Sequence, residues 1–420
     1  GSVEIEIFSA VDMVFPYPAI TFAIEGSNGI TFVHTCGRVY NDIDDLNENS
    51  ETQVPETGFD VLIGENYSPF FSFINGPLEL KNSTYQLEFS DTYGNTLLVE
   101  REIKNTQPYS LVWEELSGRE LKLSSLKGEK VTVKIHHQFS GFFPRFVAGN
   151  ILKDYENLSL THTYYDTSLL EVETNNIVNP DKTTLFDSLV ALPLDSCFDK
   201  VELAIYPIFL TQPCNLYFQL FSARGELLEE SSVTIEIANE NDKLRYVNIR
   251  ELFQNIATKH TNCMVRVVVD GSGVVPARMK FGLNLYKKFK GNNLPSNVCF
   301  NAEVPNTKIL SKPGTFRWCP VFDGNNQKIF LHNASLRKDG FKDGNLKFEL
   351  VREHDDKKLL WEGHIHDNGT YEVIKPKSKE ISKFLDGSAG WLGIQSSNPY
   401  ITGFYITDHG KGVIGADHLY

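Results

Sequence analysis

The chain has 420 residues, 41% hydrophobic and 22% charged, the composition of a globular protein too long for one ordinary domain. A formal charge of -14 and a pI near 5.3 exclude the basic footprint of a phosphate-backbone binder, so nucleic acid is not an expected partner. Aromatics reach 12% and Met falls to 3, which favours sheets; no apolar run approaches the roughly 20 residues of a membrane-spanning helix.

In chain order, the first signal is a fragment. Residues 3–43 (VEIEIFSAVDMVF through ITFVHTCGRVYND) resemble the last three strands of a unit whose first half is missing. Further repeat units, or a fused domain, are therefore expected upstream of Val3. Gly1–Ser2 reads as a cloning remnant, so a missing leader segment decides nothing. The acidic stretch 43–58 reads as a long loop.

Three fuller units follow, at 59–166, 181–303 and 304–420. They align on runs beginning at Phe59, Phe186 and Phe316. Each run leads to a polar turn (DTYGN, ARGE, REHDDKK) and a second run opening LLVE, LLEE or LLWE. The second halves match as well. A short helix-capable piece precedes a strand, a Ser/Gly/Pro turn follows, and the next strand carries Gly149, Gly282 or Gly403. A closing strand (LSLTHTYYD, SNVCFNAEV, GVIGADHLY) ends each unit.

Apolar alternation is clear in VTVKIHH (131–137), VRVVVD (265–270) and YQLEFSD (85–91), the period of half-buried strands. Helical signal is confined to pieces such as IRELFQNIATK (249–259) and SKEISKFL (378–385). The expected fold is all-β: a tandem repeat of β-sandwich units, jelly-roll-like or immunoglobulin-like, with short crossover helices.

His34 and Cys36 in ITFVHTC suggest a thiolate with a base, but the repeat argues against it. The equivalent strand of the first full unit has His162 with Tyr164 in place of Cys36. The second unit offers Cys299 and Asn301, and the third ends in Asp417–His418. No single chemistry persists, so the position reads as structural, with His162 and Tyr164 kept as candidate ligand contacts. The six cysteines (36, 197, 214, 263, 299, 319) do not recur between units. That pattern favours buried thiols and leans towards a reducing, cytoplasmic setting; Cys197–Cys214 and Cys263–Cys299 bridges stay open.

Two further sets remain. In HIHD, His364 and His366 project from one strand face and form a candidate metal pair, with His354 across the hairpin turn as a third ligand. The alternative is an exposed polar strand face. Among Trp113, Trp318, Trp361 and Trp391, the best sugar-stacking candidates are Trp391, in SAGWLG, and Trp318; Trp361 reads as core. No phosphate loop, zinc-type CxxC or hydrolase motif occurs, and no cofactor is expected. The reading is a non-catalytic tandem-sandwich binding or scaffold protein with a glycan or protein partner. The alternatives are a glycan-active enzyme with an Asp/Glu or His site in one degenerate unit, or a structural subunit of a surface layer or capsid.

Overall fold

The computed structural model describes residues 19–26, 29–36, 56–75, 79–116, 121, 125–137, 139, 146–153, 157–163, 176–178, 185–186, 191–206, 208–209, 213–237, 240–241, 244–254, 260–271, 274–276, 278–288, 294–303, 313–323, 326–334, 343–355, 357–408 and 412–420. Strands dominate, paired antiparallel in several sheets, as the alternation requires.

Of the expected fragment 3–43, the described part is a hairpin, β1 (Ala19–Gly26) with β2 (Gly29–Cys36). Among the described residues the first sandwich has eight strands: β3 (Glu56–Leu62), β4 (Tyr67–Ile74), β5 (Thr84–Asp91), β6 (Thr96–Glu102), β7 (Leu111–Glu115), β8 (Lys130–His137), β9 (Val147–Leu152) and β10 (Asn157–His162). They pair as β3-β8-β5-β6 and β10-β9-β4-β7. Between the sheets lies a core that includes Phe59, Phe71, Phe73, Leu87, Phe89, Val131, Val133 and Ile135. On β4 the neighbouring Phe70 points the other way and packs with Val33 of the hairpin, Leu160 and Phe22. This sheet is thus apolar on both faces because the hairpin forms a third layer.

The second sandwich contains β11 (Asn176–Val178), β12 (Leu185–Phe186), β13 (Ala191–Leu194), β14 (Lys200–Ile205), β15 (Ile208–Phe209), β16 (Cys214–Phe221), β17 (Leu227–Glu230), β18 (Ile235–Ile237), β19 (Glu240–Asn241), β20 (Arg245–Asn248), helix α1 (Ile249–Leu252), β21 (Cys263–Gly271), β22 (Val274–Pro276), β23 (Arg278–Tyr286) and β24 (Ser296–Glu303). Its main sheets are β12-β21-β16-β17 and β20-β14-β23-β24. The third comprises β25 (Thr315–Phe322), β26 (Asn326–Asn333), β27 (Gly344–Arg352), β28 (Lys358–Ile365), β29 (Thr370–Glu372), helix α2 (Ser378–Leu385), β30 (Ala389–Ser396), β31 (Ile401–Asp408) and β32 (Ile414–His418). Its sheets are β25-β30-β27-β28 and β29-β26-β31-β32.

The three sandwiches share one strand order. Counting only the strands of the two main sheets of each, one sheet runs first-sixth-third-fourth and the other fifth-second-seventh-eighth. The recurring glycine has a physical cause in this order. It sits on the seventh strand, between two paired neighbours. A Cβ at Gly149 would lie 2.3 Å from Ser159 O, one at Gly282 2.5 Å from the Tyr206 hydroxyl, and one at Gly403 2.1 Å from Phe330 O. Helix α2 stands where the chain crosses from one sheet to the other, burying Ile381 and Leu385.

The chain divides into two compact units; the first sandwich belongs to one, the second and third together to the other. Within that second unit the core runs on from Leu203, Phe218, Val265 and Phe281 to Phe330, Phe404, Ile406, Ile414 and Ala416 of the third sandwich. Those last residues lie on the outward face of sheet β29-β26-β31-β32, so the second sandwich covers it. Ion pairs Lys328–Asp195, at 2.7 Å, and Lys287–Asp408 stitch the joint. Arg266 is almost fully buried there; it donates to Asn368 Oδ1 at 2.7 Å and to Ala334 O, with its guanidinium over Phe221.

Candidate functional site

The other sheet of the third sandwich, β25-β30-β27-β28, turns Cys319, Val321, Leu346, Phe348, Leu350, Leu392 and Ile394 inward, all buried. Strand alternation then sends every second residue outward, and the register sets these in rows across the strands. Phe316, Gln395, Lys347 and Glu362 form one row. Trp318, Gly393, Glu349 and Leu360 form the next, and Pro320, Trp391, Val351 and Lys358 the third.

This face is aromatic and open. Phe316 is 51% exposed, Leu360 65% and Trp391 42%. The Phe316 and Trp391 rings come together over Gly393, where a Cβ would lie 3.0 Å from Trp391 Cζ3 and 3.2 Å from Phe316 Cε2. A side chain at 393 would crowd both rings, which would have to give by a few tenths of an ångström. The hollow here measures about 470 Å³, with Phe348 and Trp361 beneath and Lys347, Glu349, Glu362 and Gln395 around it. Glu349 is held by Lys358 at 2.7 Å.

Trp391 therefore lies on an open surface with two partners that sequence reading missed, Phe316 and Leu360. Trp318 falls in the same row as Gly393 but is half-buried. Its ring lies 4.9 Å from that of Tyr420, and the two backbones exchange hydrogen bonds. Trp361 is buried and stacks on Phe348 at 5.0 Å. In the first sandwich Trp113 is exposed, but Phe70 stacks on it at 4.4 Å.

His364 extends the outward rows beyond Glu362, opposite Asn345. Its ring meets that of His366 edge-on at 5.2 Å. The third member of this group is Asp343, not His354. Asp343 Oδ2 lies 3.1 Å from His364 Nε2 and 4.0 Å from His366 Nδ1, and all three side chains are about half exposed. The Asp367 amide donates to Asp343 Oδ1 at 2.9 Å. That hydrogen bond and the adjacent histidines hold the Asp343 carboxyl below the usual carboxylate range. His354 sits in the turn at the far end of β28, near Glu353 at 3.9 Å.

The remaining candidates are interior or undescribed. His162 is buried, its Nδ1 2.9 Å from Thr163 O and its ring 4.4 Å from that of buried His34. Tyr164 and the side chain of Cys36 lie outside the described residues. Cys197, Cys214, Cys263, Cys299 and Cys319 form no disulfide. Burial pushes the thiols of Cys197, Cys263 and Cys319 above the usual range, Cys263 to about 11, which suits structural thiols rather than nucleophiles.

No protein family matches this sequence, and none of the curated proteins does. Among solved structures, the chain is similar to a tetra-tandem repeat in the extending region of a large adhesion protein. The match has 8% identity and a TM-score of 0.11, covering 86% of this chain and 72% of that one. It is also similar to a calcium-binding mutant of Bacteroides uniformis beta-glucuronidase 2, at 8% identity and a TM-score of 0.13, covering 70% of this chain and 30% of that one. At these scores neither likeness assigns a role to any residue.

Proposed function

We propose that this chain is a non-catalytic tandem β-sandwich binding protein that holds an extended carbohydrate on the outer face of sheet β25-β30-β27-β28. The observation that carries the reading is the Phe316–Gly393–Trp391 platform with its polar rim. A pyranose ring has an apolar C–H face and a hydroxyl edge. Exposed aromatic rings match the first, and Lys347, Glu349, Glu362 and Gln395 match the second. An open face suits the interior of a sugar chain rather than an enclosed single residue. Two lysines and two glutamates across adjacent rows balance in charge, which favours neutral sugars. The same charges count against a protein partner, because the centre of a protein interface is depleted of charged residues.

The test is a glycan array probed with the full chain. The wild type is expected to bind neutral oligosaccharides, and Trp391→Ala and Phe316→Ala to lose the signal. Trp113→Ala, on the first sandwich, is expected to keep it. An array silent for the wild type overturns the carbohydrate reading and leaves the scaffold role.

A further inference from the structure

We infer that Asp343, His364 and His366 form a divalent transition-metal site, with zinc as the ion it fits. The site uses residues outside the aromatic platform, and the inference does not depend on carbohydrate binding. Its three ligand atoms all lie within 4.8 Å of one another. A tetrahedral zinc ion, with bonds of about 2.0–2.2 Å, needs ligand atoms about 3.3 Å apart. The Asp343–His364 separation of 3.1 Å already meets this, and the Asp343–His366 separation of 4.0 Å closes with a small ring rotation.

The surroundings point the ligands inward. Asn345 Oδ1 lies 3.3 Å from His364 Nδ1. Without an ion, His364 Nε2 and Asp343 Oδ2 stand at hydrogen-bond distance, 3.1 Å; with the Nδ1 proton given to Asn345, Nε2 is the nitrogen that ligates a metal beside that carboxylate oxygen. Such an outer partner, fixing the imidazole tautomer, is the usual companion of a metal-bound histidine. The Asp367 amide does the same for the carboxylate by occupying Oδ1 and leaving Oδ2 towards both rings.

His366 is fixed through its backbone. Its carbonyl accepts from Asn333 Nδ2 at 3.1 Å and from the Gly369 amide at 3.0 Å. The same turn packs on the β16–β17 turn of the second sandwich. Thr370 N donates to Ala223 O, and Asp367 O approaches Gly225 so closely that no Cβ fits there. His366 thus stands on a braced turn, beside His364 at the end of β28, although the side chains are exposed. Two imidazoles and one carboxylate select zinc, nickel or cobalt over calcium and magnesium, which prefer all-oxygen shells. Three protein ligands leave the fourth position of a tetrahedron to solvent.

The experiment is calorimetric titration of zinc chloride into the full chain without a histidine tag, with circular dichroism confirming that each variant is folded. The wild type is expected to show one site that calcium chloride neither occupies nor competes for. His364→Ala and His366→Ala should abolish that site, and Asp343→Asn should weaken it at least about tenfold. Trp391→Ala should leave the zinc isotherm unchanged, so failure of the sugar reading and failure of this one are separable. An isotherm unchanged in any of the three ligand variants, or a wild type without zinc heats, overturns the assignment.

Discussion

The two sheets of the third sandwich carry large apolar residues on both faces, yet their outward faces differ in kind. On β29-β26-β31-β32 the outward Phe330, His332, Phe404 and Ile406 are buried, because the second sandwich lies over them. On β25-β30-β27-β28 the outward Phe316, Leu360 and Trp391 are exposed. Strand order and alternation do not separate the two cases; cover does. An outward aromatic under a neighbouring sandwich is accounted for by packing inside the chain. An outward aromatic cluster left in water, ringed by hydrogen-bonding side chains, has no such account, and it is the feature on which the proposed carbohydrate reading rests.

The largest expected effect tests the covered side. Phe404→Ala should destabilise the second compact unit by about 3–5 kcal/mol, the usual cost of emptying a buried phenylalanine site. A urea midpoint that shifts no more for Phe404→Ala than for Phe316→Ala would erase the distinction between the faces. Arg266→Met comes next. It keeps most of the stem's apolar contact but removes the donors that Ala334 O and Asn368 Oδ1 accept from. Leaving buried acceptors unserved costs about 1–3 kcal/mol, and the same urea series reads it. A neutral result would mean that water reaches the joint and that the two sandwiches are not closely sealed there.

A third effect depends on pH. His332 is fully buried on the covered face, with Nδ1 3.0 Å from Thr370 Oγ1. Burial pushes its imidazole down to about 3 from an ordinary value of 6.5. The folded chain therefore keeps His332 neutral while the unfolded chain protonates it below pH 6.5. Between those values the unfolded state binds more protons, so stability is fully present above pH 6.5 and is lost as pH falls. The slope for this one group is at most about 1.4 kcal/mol per pH unit, or roughly 2 kcal/mol between pH 6.5 and pH 5. His332→Gln should flatten the stability–pH curve by that amount over that window, whatever other histidines contribute. Equal slopes for variant and wild type would show that water reaches His332 and that the face is not covered there.

The sequence carried the strands and the repeat plainly, since apolar alternation in VTVKIHH and the shared LLVE, LLEE and LLWE openings are local patterns. Helix α2 also stood out, from SKEISKFL. Cover was not legible. Phe316 and Phe404 are both outward aromatics, and only the placement of a neighbouring sandwich tells them apart. Trp391 was visible as a candidate through its glycine-rich setting. Phe316 joins it on the same face, two outward rows away, by a β25–β30 pairing that no local signal specifies. The metal pair shows the same limit. His364 and His366 declare themselves by strand period, but the third ligand follows from register. Asn345 stands opposite His364, which brings Asp343 alongside and leaves His354 at the other end of the hairpin.

The smallest expected effect tests the open face, and its smallness is the point. Trp391→Ala and Phe316→Ala remove large rings that are about half in water, over a glycine that already keeps the backbone clear of them. Each should cost under about 1 kcal/mol, because exposed positions away from caps, cavities and buried networks rarely cost more. Both rings lie near the Gly393 position without a ring contact of their own, so the double variant should cost about the sum of the singles. A cost as large as that of Phe404→Ala would mean that the rings are structural and that the platform's shape follows from packing alone. A small cost with loss of glycan binding would separate recognition from stability on this face, which the covered sheet cannot do.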